Sequence, residues 1–304
     1  MENRITRKLT LGQDGNMLVM LLAVIATVFC LLKFLQMGLF LSGFESSWYY
    51  ENVFRYFTLP ADLGDLAHRP WTLITYMFSH DDPWHFVGNI IWIWVFGYIF
   101  QDLSGNQKLV PVFLYGGLAG GILYLAAYNI FPGLRAAAPV ATVVGASAGA
   151  MAIAVATTVL APGYRIFPMI NGGIPIWVLT VIYVILDIAM VPGNNTGGHI
   201  AHIGGAIIGF IFTKQMQKGN DIGRPINWFF NWIMNLFNPD KNNWKKTAKR
   251  DFHYSTKGAE PFKKIPNITQ KRIDDILDKI NQQGYRYLTD EEKDILKRAA
   301  DDDA

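Results

Sequence analysis

Six apolar stretches, each close to the length that crosses a bilayer, constrain the fold of this chain more than any other feature. A transmembrane helix needs roughly 20 apolar residues to cross about 30 Å of hydrocarbon. The six stretches cover residues 17–41, 84–100, 109–131, 139–160, 174–191 and 198–213. Inside the hydrocarbon, backbone polar groups must pair within the chain, which favours helices. The sequence therefore predicts an all-α membrane protein with six transmembrane helices.

Charged residues are distributed unevenly: they are dense in roughly the last 65 residues and sparse in the 200 or so that precede them. This contrast predicts one membrane domain followed by a soluble tail. The formal net charge of +3 is small and its basic residues form no single patch, so we expect no nucleic-acid partner. The single cysteine, Cys30, excludes a disulfide within the chain and a cysteine-based metal site. The first apolar stretch is too long for a cleavable signal and is expected to be a span.

The basic residues of the short loops predict an orientation. With a cytoplasmic N-terminus, seven Lys and Arg residues fall inside and three, Arg55, Arg69 and Arg135, fall outside. The excess of positive charge marks the cytoplasmic side. We therefore expect the protein in the inner membrane of the cell, with both termini in the cytoplasm. Residues 42–83 are rich in tryptophan and tyrosine, which predicts a loop lying at the outer membrane interface.

The pattern divides the chain into four segments. We expect a cytoplasmic segment over residues 1–16, the membrane domain over 17–214, an interfacial helix with a linker over 215–264, and a helical hairpin over 265–304. Within the third segment, the aromatic-rich residues 225–237 predict the interfacial helix.

The tail shows helical spacing. Its apolar positions are Ile273, Ile276, Leu277 and Ile280. Gly284 predicts the end of that helix, and Thr289 with Glu292 forms the capping box of a second one. We expect this hairpin to serve self-association or partner docking in the cytoplasm.

Ser147 lies in Gly145-Ala-Ser-Ala-Gly149, which matches the Gly-x-Ser-x-Gly elbow of soluble hydrolases. That elbow requires a strand before the serine and a helix after it, whereas the flanks here are continuously apolar. A lone serine in such a span is usually a packing residue that bonds back to its own helix. A histidine in a span, such as His202, is by default functional.

Depth below the outer surface connects these groups. Counted from the predicted helix starts, Ser147 lies roughly 12 Å deep, His202 roughly 8 Å and Asn89 roughly 9 Å. His85 and Asn89 share one helix face. This predicts Ser147 as nucleophile and His202 as general base, with His85, Asn89 and the Ser147 amide stabilising an oxyanion. Asp187 lies late in the fifth stretch, where its facing cannot be read, so a Ser–His dyad is the simplest proposal.

Four pieces of the chain carry a family resemblance. They are Arg69-Pro-Trp-Thr-Leu-Ile-Thr-Tyr-Met-Phe-Ser-His80, His85-x-x-x-Asn89, Gly145-Ala-Ser147 and Ala201-His202-x-x-Gly205-x-x-x-Gly209. Residues 17–214 resemble the rhomboid family of intramembrane serine proteases, of the bacterial type with six transmembrane helices. The resemblance implies a bundle with a water-filled cavity open to the outside, Ser147 and His202 as the dyad, and His85 and Asn89 beside the oxyanion.

The same resemblance implies a function and its partners. It implies a serine endopeptidase that cleaves transmembrane segments of other membrane proteins near their outer ends, in a lipid bilayer, with no cofactor and no metal. Three positions depart from the family pattern: Ala148 replaces a glycine, Met151 replaces a frequent aromatic residue, and Thr72 follows Trp71 where arginine is frequent.

Other function classes remain open at this point. The first is a catalytically inactive rhomboid-like protein that binds or escorts membrane clients. A transporter would also place polar groups within its spans, but the chain shows no two matching halves. His199 and His202, at i and i+3, are a possible metal pair, although no His-Glu-x-x-His motif or partner carboxylate is evident.

Overall fold

The computed structural model describes residues 16–167, 169, 172–193, 195–236 and 270–302. The chain forms two compact units, Met1–Phe237 and Asn238–Ala304. The predicted cytoplasmic segment, apart from its last residue, and the predicted linker over residues 239–264 lie outside the described residues. Each unit is described by itself.

Helices make up most of the first unit. Its α-helices are α1 (Met17–Leu41), α2 (Ser46–Asn52), α3 (Leu63–His68), α4 (Thr72–Thr75), α5 (Pro83–Ser104), α6 (Leu109–Ile130), α7 (Pro132–Arg135), α8 (Ser147–Leu160), α9 (Ile176–Met190), α10 (Thr196–Gln217) and α11 (Arg224–Leu236). Two short antiparallel pairs join β1 (Leu59–Pro60) to β2 (Thr142–Val143) and β3 (Arg165–Ile166) to β4 (Ile174–Pro175). The prediction of an all-α membrane bundle is confirmed.

The apolar helices differ in length. Among the described residues, α1, α5, α6 with the turn before it, and α10 are long and apolar enough to cross a membrane. Helices α8 and α9 are apolar but have only 14 and 15 residues, or about 21–22 Å at 1.5 Å per residue. The chain that flanks α8 and α9 must therefore cross the rest of the hydrocarbon thickness.

The start of the fourth predicted span is wrong. The helix begins at Ser147, and residues 139–146 are irregular, with β2 paired to β1. Gly145 has a φ of +123°, and its N–H donates to the Tyr76 carbonyl at 2.9 Å. A side chain at this φ would be strained, so glycine is required. Ser147 is therefore the first residue of α8 and not the eighth residue of a span.

Small residues bring α8 into direct contact with two neighbours. On the α10 side, a Cβ at Gly205 would lie 2.1 Å from the Ala148 carbonyl oxygen. On the α6 side, a Cβ at Gly116 would lie 2.3 Å from Ala152 Cβ. Such close approach is typical of membrane helices, which associate through packing of small residues. Helices α6, α8 and α10 therefore form the dense centre of the bundle.

The C-terminal unit is a helical hairpin. Its helices are Gln270–Gln283 and Asp290–Asp302, and Ile276, Leu288 and Ile295 form its core. The reciprocal bonds of the predicted capping box are present. Thr289 N–H donates to Glu292 Oε2 at 2.8 Å, and Glu292 N–H donates to Thr289 Oγ1 at 3.3 Å.

Candidate active site

Ser147 lies where the irregular segment turns into α8. The residue is 8% exposed. The first N–H groups of a helix have no carbonyl partner within the helix and favour negative charge. A serine at this position therefore has backbone donors of its own helix end beside it, which suits an oxyanion that forms as the serine oxygen attacks.

His202 lies in α10 and is also 8% exposed. Its Nδ1 lies 2.8 Å from Asp187 Oδ1 on α9. Because a carboxylate oxygen only accepts hydrogen bonds, Nδ1 carries the proton in this contact. Its Nε2 is buried and has no hydrogen-bond partner among the described residues. This tautomer leaves a lone pair on Nε2, which is what a general base needs.

Gly120 on α6 lies against the residues next to Ser147 and His202 in the chain. A Cβ at Gly120 would lie 2.6 Å from Ala148 Cβ and 2.7 Å from the Ala201 carbonyl oxygen. Ala148 directly follows Ser147, and Ala201 directly precedes His202. Glycine at position 120 thus allows α8 and α10 to meet at the level of both candidate residues.

His85 lies beside the turn that precedes Ser147. A Cβ at Gly145 would lie 2.5 Å from His85 Cε1, so the imidazole ring rests on the Gly145 backbone. His85 also lies near enough to His202 for the two rings to interact electrostatically. The structure therefore places His85 on α5 beside the turn that leads into Ser147 on α8, on the side that faces His202 of α10.

Asn89 is held by His80, the last residue of the first family-like segment, for which the sequence predicted no role in the site. His80 Nε2 lies 2.9 Å from Asn89 Nδ2, and it accepts from Ala146 N–H at 3.2 Å. Both side chains are buried. Burial, with the nearby His85 as a second cause, lowers the pKa of His80 to about 3. His80 therefore stays neutral and joins Asn89 to the backbone next to Ser147.

The His80 contacts give a first prediction. His80→Ala should slow the labelling of Ser147 by a fluorophosphonate at least about tenfold, because two buried donors lose their acceptor at a cost of about 1–3 kcal/mol each. His80→Gln keeps an acceptor oxygen and should recover part of the rate. Labelling rates and thermal midpoints are measured in one detergent. An alanine variant that matches the wild type in both would contradict this role.

The three departures from the family pattern are accommodated locally. Ala148 places its methyl group against Gly120, where no side chain competes. Met151 is buried, and the aromatic contact to His202 comes instead from Tyr183 on α9, with ring centroids 5.9 Å apart. Thr72 is buried and its Oγ1 donates to the Arg69 carbonyl at 2.7 Å.

Asp187, His199 and His202 form a cluster that the sequence did not assemble. His199 Nδ1 lies 2.7 Å from the same Asp187 Oδ1 that faces His202. The three ligand-type atoms lie within 4.8 Å of one another, as in a metal site. The contacts are those of hydrogen bonds, and a metal would need both Nδ1 atoms deprotonated. The sequence contained one signal for this cluster: an acidic residue inside a membrane span is energetically costly and must have a partner.

Two family models and one curated relative match parts of the chain. The model of the rhomboid domain matches residues 67–218, and a family of unknown function, DUF6576, matches residues 263–301. RHOMBOID-like protein 12, mitochondrial, from Arabidopsis thaliana is 29% identical over 160 residues. That alignment covers 50% of this chain and 48% of the relative, so the chain spans about half the length of this relative. Since the domain model covers half of the chain and contains every residue of the cluster, the protein belongs to the rhomboid family.

Proposed function

We propose that this rhomboid is an active intramembrane serine endopeptidase, with Ser147 as nucleophile and His202 as general base. The observation that carries the proposal is the state of His202. Its Nδ1 is held by a carboxylate, while its buried Nε2 is left without a partner among the described residues. Most buried side-chain polar atoms have a hydrogen-bond partner, so an unpaired nitrogen beside a carboxylate-held one calls for an explanation. The lone pair on Nε2 is available to accept a proton, and α10 meets the Ser147 helix next to both residues, at Gly120.

The steps follow from these positions. His202 Nε2 takes the proton of Ser147 Oγ as the oxygen attacks the scissile carbonyl. The N–H groups at the start of α8, together with His85 and Asn89, stabilise the oxyanion. His202 then gives its proton to the leaving amine, and the acyl-enzyme forms. His202 then deprotonates a water molecule, which attacks the ester carbonyl, and the imidazolium returns this proton to Ser147 Oγ as the second product leaves.

The substrates are transmembrane segments of other membrane proteins, cleaved near the outer face. We further propose that both termini are cytoplasmic, in the inner membrane of the cell. The excess of loop Lys and Arg on one side supports this orientation. The start of α8, and with it Ser147, then lies toward the outer surface.

A fluorophosphonate probe tests the proposal. The wild type in detergent should carry one adduct, located by mass spectrometry on the peptide that contains Ser147, and Ser147→Ala should carry none. Ser79→Ala is the matched control, since Ser79 is also buried but bonds to the Thr75 carbonyl at 3.1 Å. This control should be labelled like the wild type. A folded wild type without an adduct would favour the inactive, client-binding class.

A further inference from the structure

We propose that Asp187 is a positioning residue that turns the Ser–His pair into a Ser–His–Asp arrangement, an inference that rests on the proposed function. Asp187 is the one acidic or basic residue of α9, and it is 4% exposed. A carboxylate inside a protein is strongly unfavourable unless it is paired. Within the described part of the chain, its partners are the two imidazoles of α10.

The direction of these two bonds fixes the tautomer of His202. An ionised carboxylate has no proton to donate, so His199 Nδ1 and His202 Nδ1 both donate to Asp187 Oδ1. A neutral imidazole has one proton, so His202 Nε2 must carry the lone pair. Without the carboxylate, His202 is free to adopt the other tautomer, in which Nε2 is protonated and cannot take the serine proton.

Helix α9 also fixes the plane of the His202 ring. Tyr183 lies one helical turn before Asp187, so both side chains lie on one face of α9. Its ring packs on His202, with centroids 5.9 Å apart, and stacks on Trp92 of α5 at 4.6 Å. The Asp187 carboxylate sets the rotation of the His202 imidazole, and the Tyr183 ring limits its tilt.

His199 holds the carboxylate in turn. Its Nδ1 contact at 2.7 Å uses the oxygen that faces His202, and the two rings meet edge to face with centroids 5.9 Å apart. Asp187 Oδ2 is buried without a partner among the described residues. One oxygen thus serves both histidines, which fixes the carboxyl group relative to α10.

The proton balance assigns no proton transfer to Asp187. When His202 Nε2 takes the Ser147 proton, the ring becomes an imidazolium, and the carboxylate at 2.8 Å stabilises that charge. The proton leaves with the amine product, and Asp187 neither gains nor loses one. Asp187 acts through His202 and does not touch the substrate.

The test compares Asp187→Asn with a matched change on the same helix. Asp187→Asn should lower kcat for a single-span substrate by about 10²–10⁴-fold, the upper figure being that of the same change in a serine protease triad, with KM within about threefold. Thr180→Val removes another buried polar group of α9, which bonds to Thr158 at 2.7 Å, and it should keep kcat within about threefold. Asp187→Glu restores a carboxylate and should recover part of the loss. Equal kcat in wild type and Asp187→Asn, or an equal loss in Thr180→Val, would overturn the proposal.

A measurement on the wild type covers the case in which Asp187→Asn fails to fold. Nitrogen-15 spectra of histidine-labelled protein should show His202 as a neutral ring protonated at Nδ1, assigned by its loss in His202→Asn. A ring protonated at Nε2, or activity that disappears in EDTA together with bound zinc, would overturn the proposal. Ser147→Ala separates the two levels: if it cleaves like the wild type, the proposed function fails, whereas if only Asp187→Asn keeps full activity, the positioning role alone fails.

Discussion

Replacing Ser147 with alanine should lower kcat for a single-span substrate by at least about 10⁴-fold, and His202→Asn should do the same. In a serine protease where two such residues act as one unit, either loss alone costs about as much as the loss of both. The double variant should therefore be no slower than either single variant. Initial cleavage rates of one substrate in liposomes are measured for the wild type, the two single variants and the double variant.

The double variant also gives the outcome that would contradict the pair. If the two single effects multiplied, Ser147 and His202 would contribute independently, and no proton would pass between them. Ser79→Ala again serves as the control for the loss of a buried hydroxyl, because its bond to the Thr75 carbonyl lies outside the cluster. It should keep full kcat.

Span positions are predictable from sequence because a bilayer demands long apolar helices, and all six predicted stretches contain apolar helices. The start of α8 was not predictable. Residues 139–146 are as apolar as the helix that follows, and what makes them irregular is their pairing with β1, where Val143 faces Leu59. This contact joins residues more than 80 positions apart, and neither hydropathy nor local propensity records it.

The candidate site was predictable in part for a similar reason. His85 and Asn89 follow from helical spacing, and Ser147 and His202 follow from motifs. Asp187 lies on a different helix from His202, and the chain between them includes Asn195 at a φ of +64°. Such a turn sets the rotation of α10 relative to α9. Whether Asp187 faces His202 therefore depends on a loop geometry that the residue types alone do not indicate.

The close contact between α8 and α10 explains why the site depends on Gly205, a residue that takes no part in the chemical steps. A Cβ at Gly205 would lie 2.1 Å from the Ala148 carbonyl oxygen and 3.3 Å from Ala148 Cα. Because the nearest atoms belong to the backbone, the helices themselves must move apart to admit a methyl group. Ala148 is the neighbour of Ser147, and Gly205 lies one turn after His202, so this movement separates the two candidate residues.

Gly205→Ala should therefore lower the free energy of unfolding by about 1–3 kcal/mol, the usual cost of overpacking, and should also slow the labelling of Ser147. Gly38→Ala is the matched control, because Gly38 lies within α1 with no atom within 4 Å of its Cβ position. There the added methyl group should leave stability unchanged or raise it by up to about 1 kcal/mol, since alanine favours helix more than glycine does. Unfolding of both variants in mixed SDS micelles gives the comparison. Equal midpoints for Gly205→Ala and the wild type would mean that α8 and α10 do not meet at this close distance.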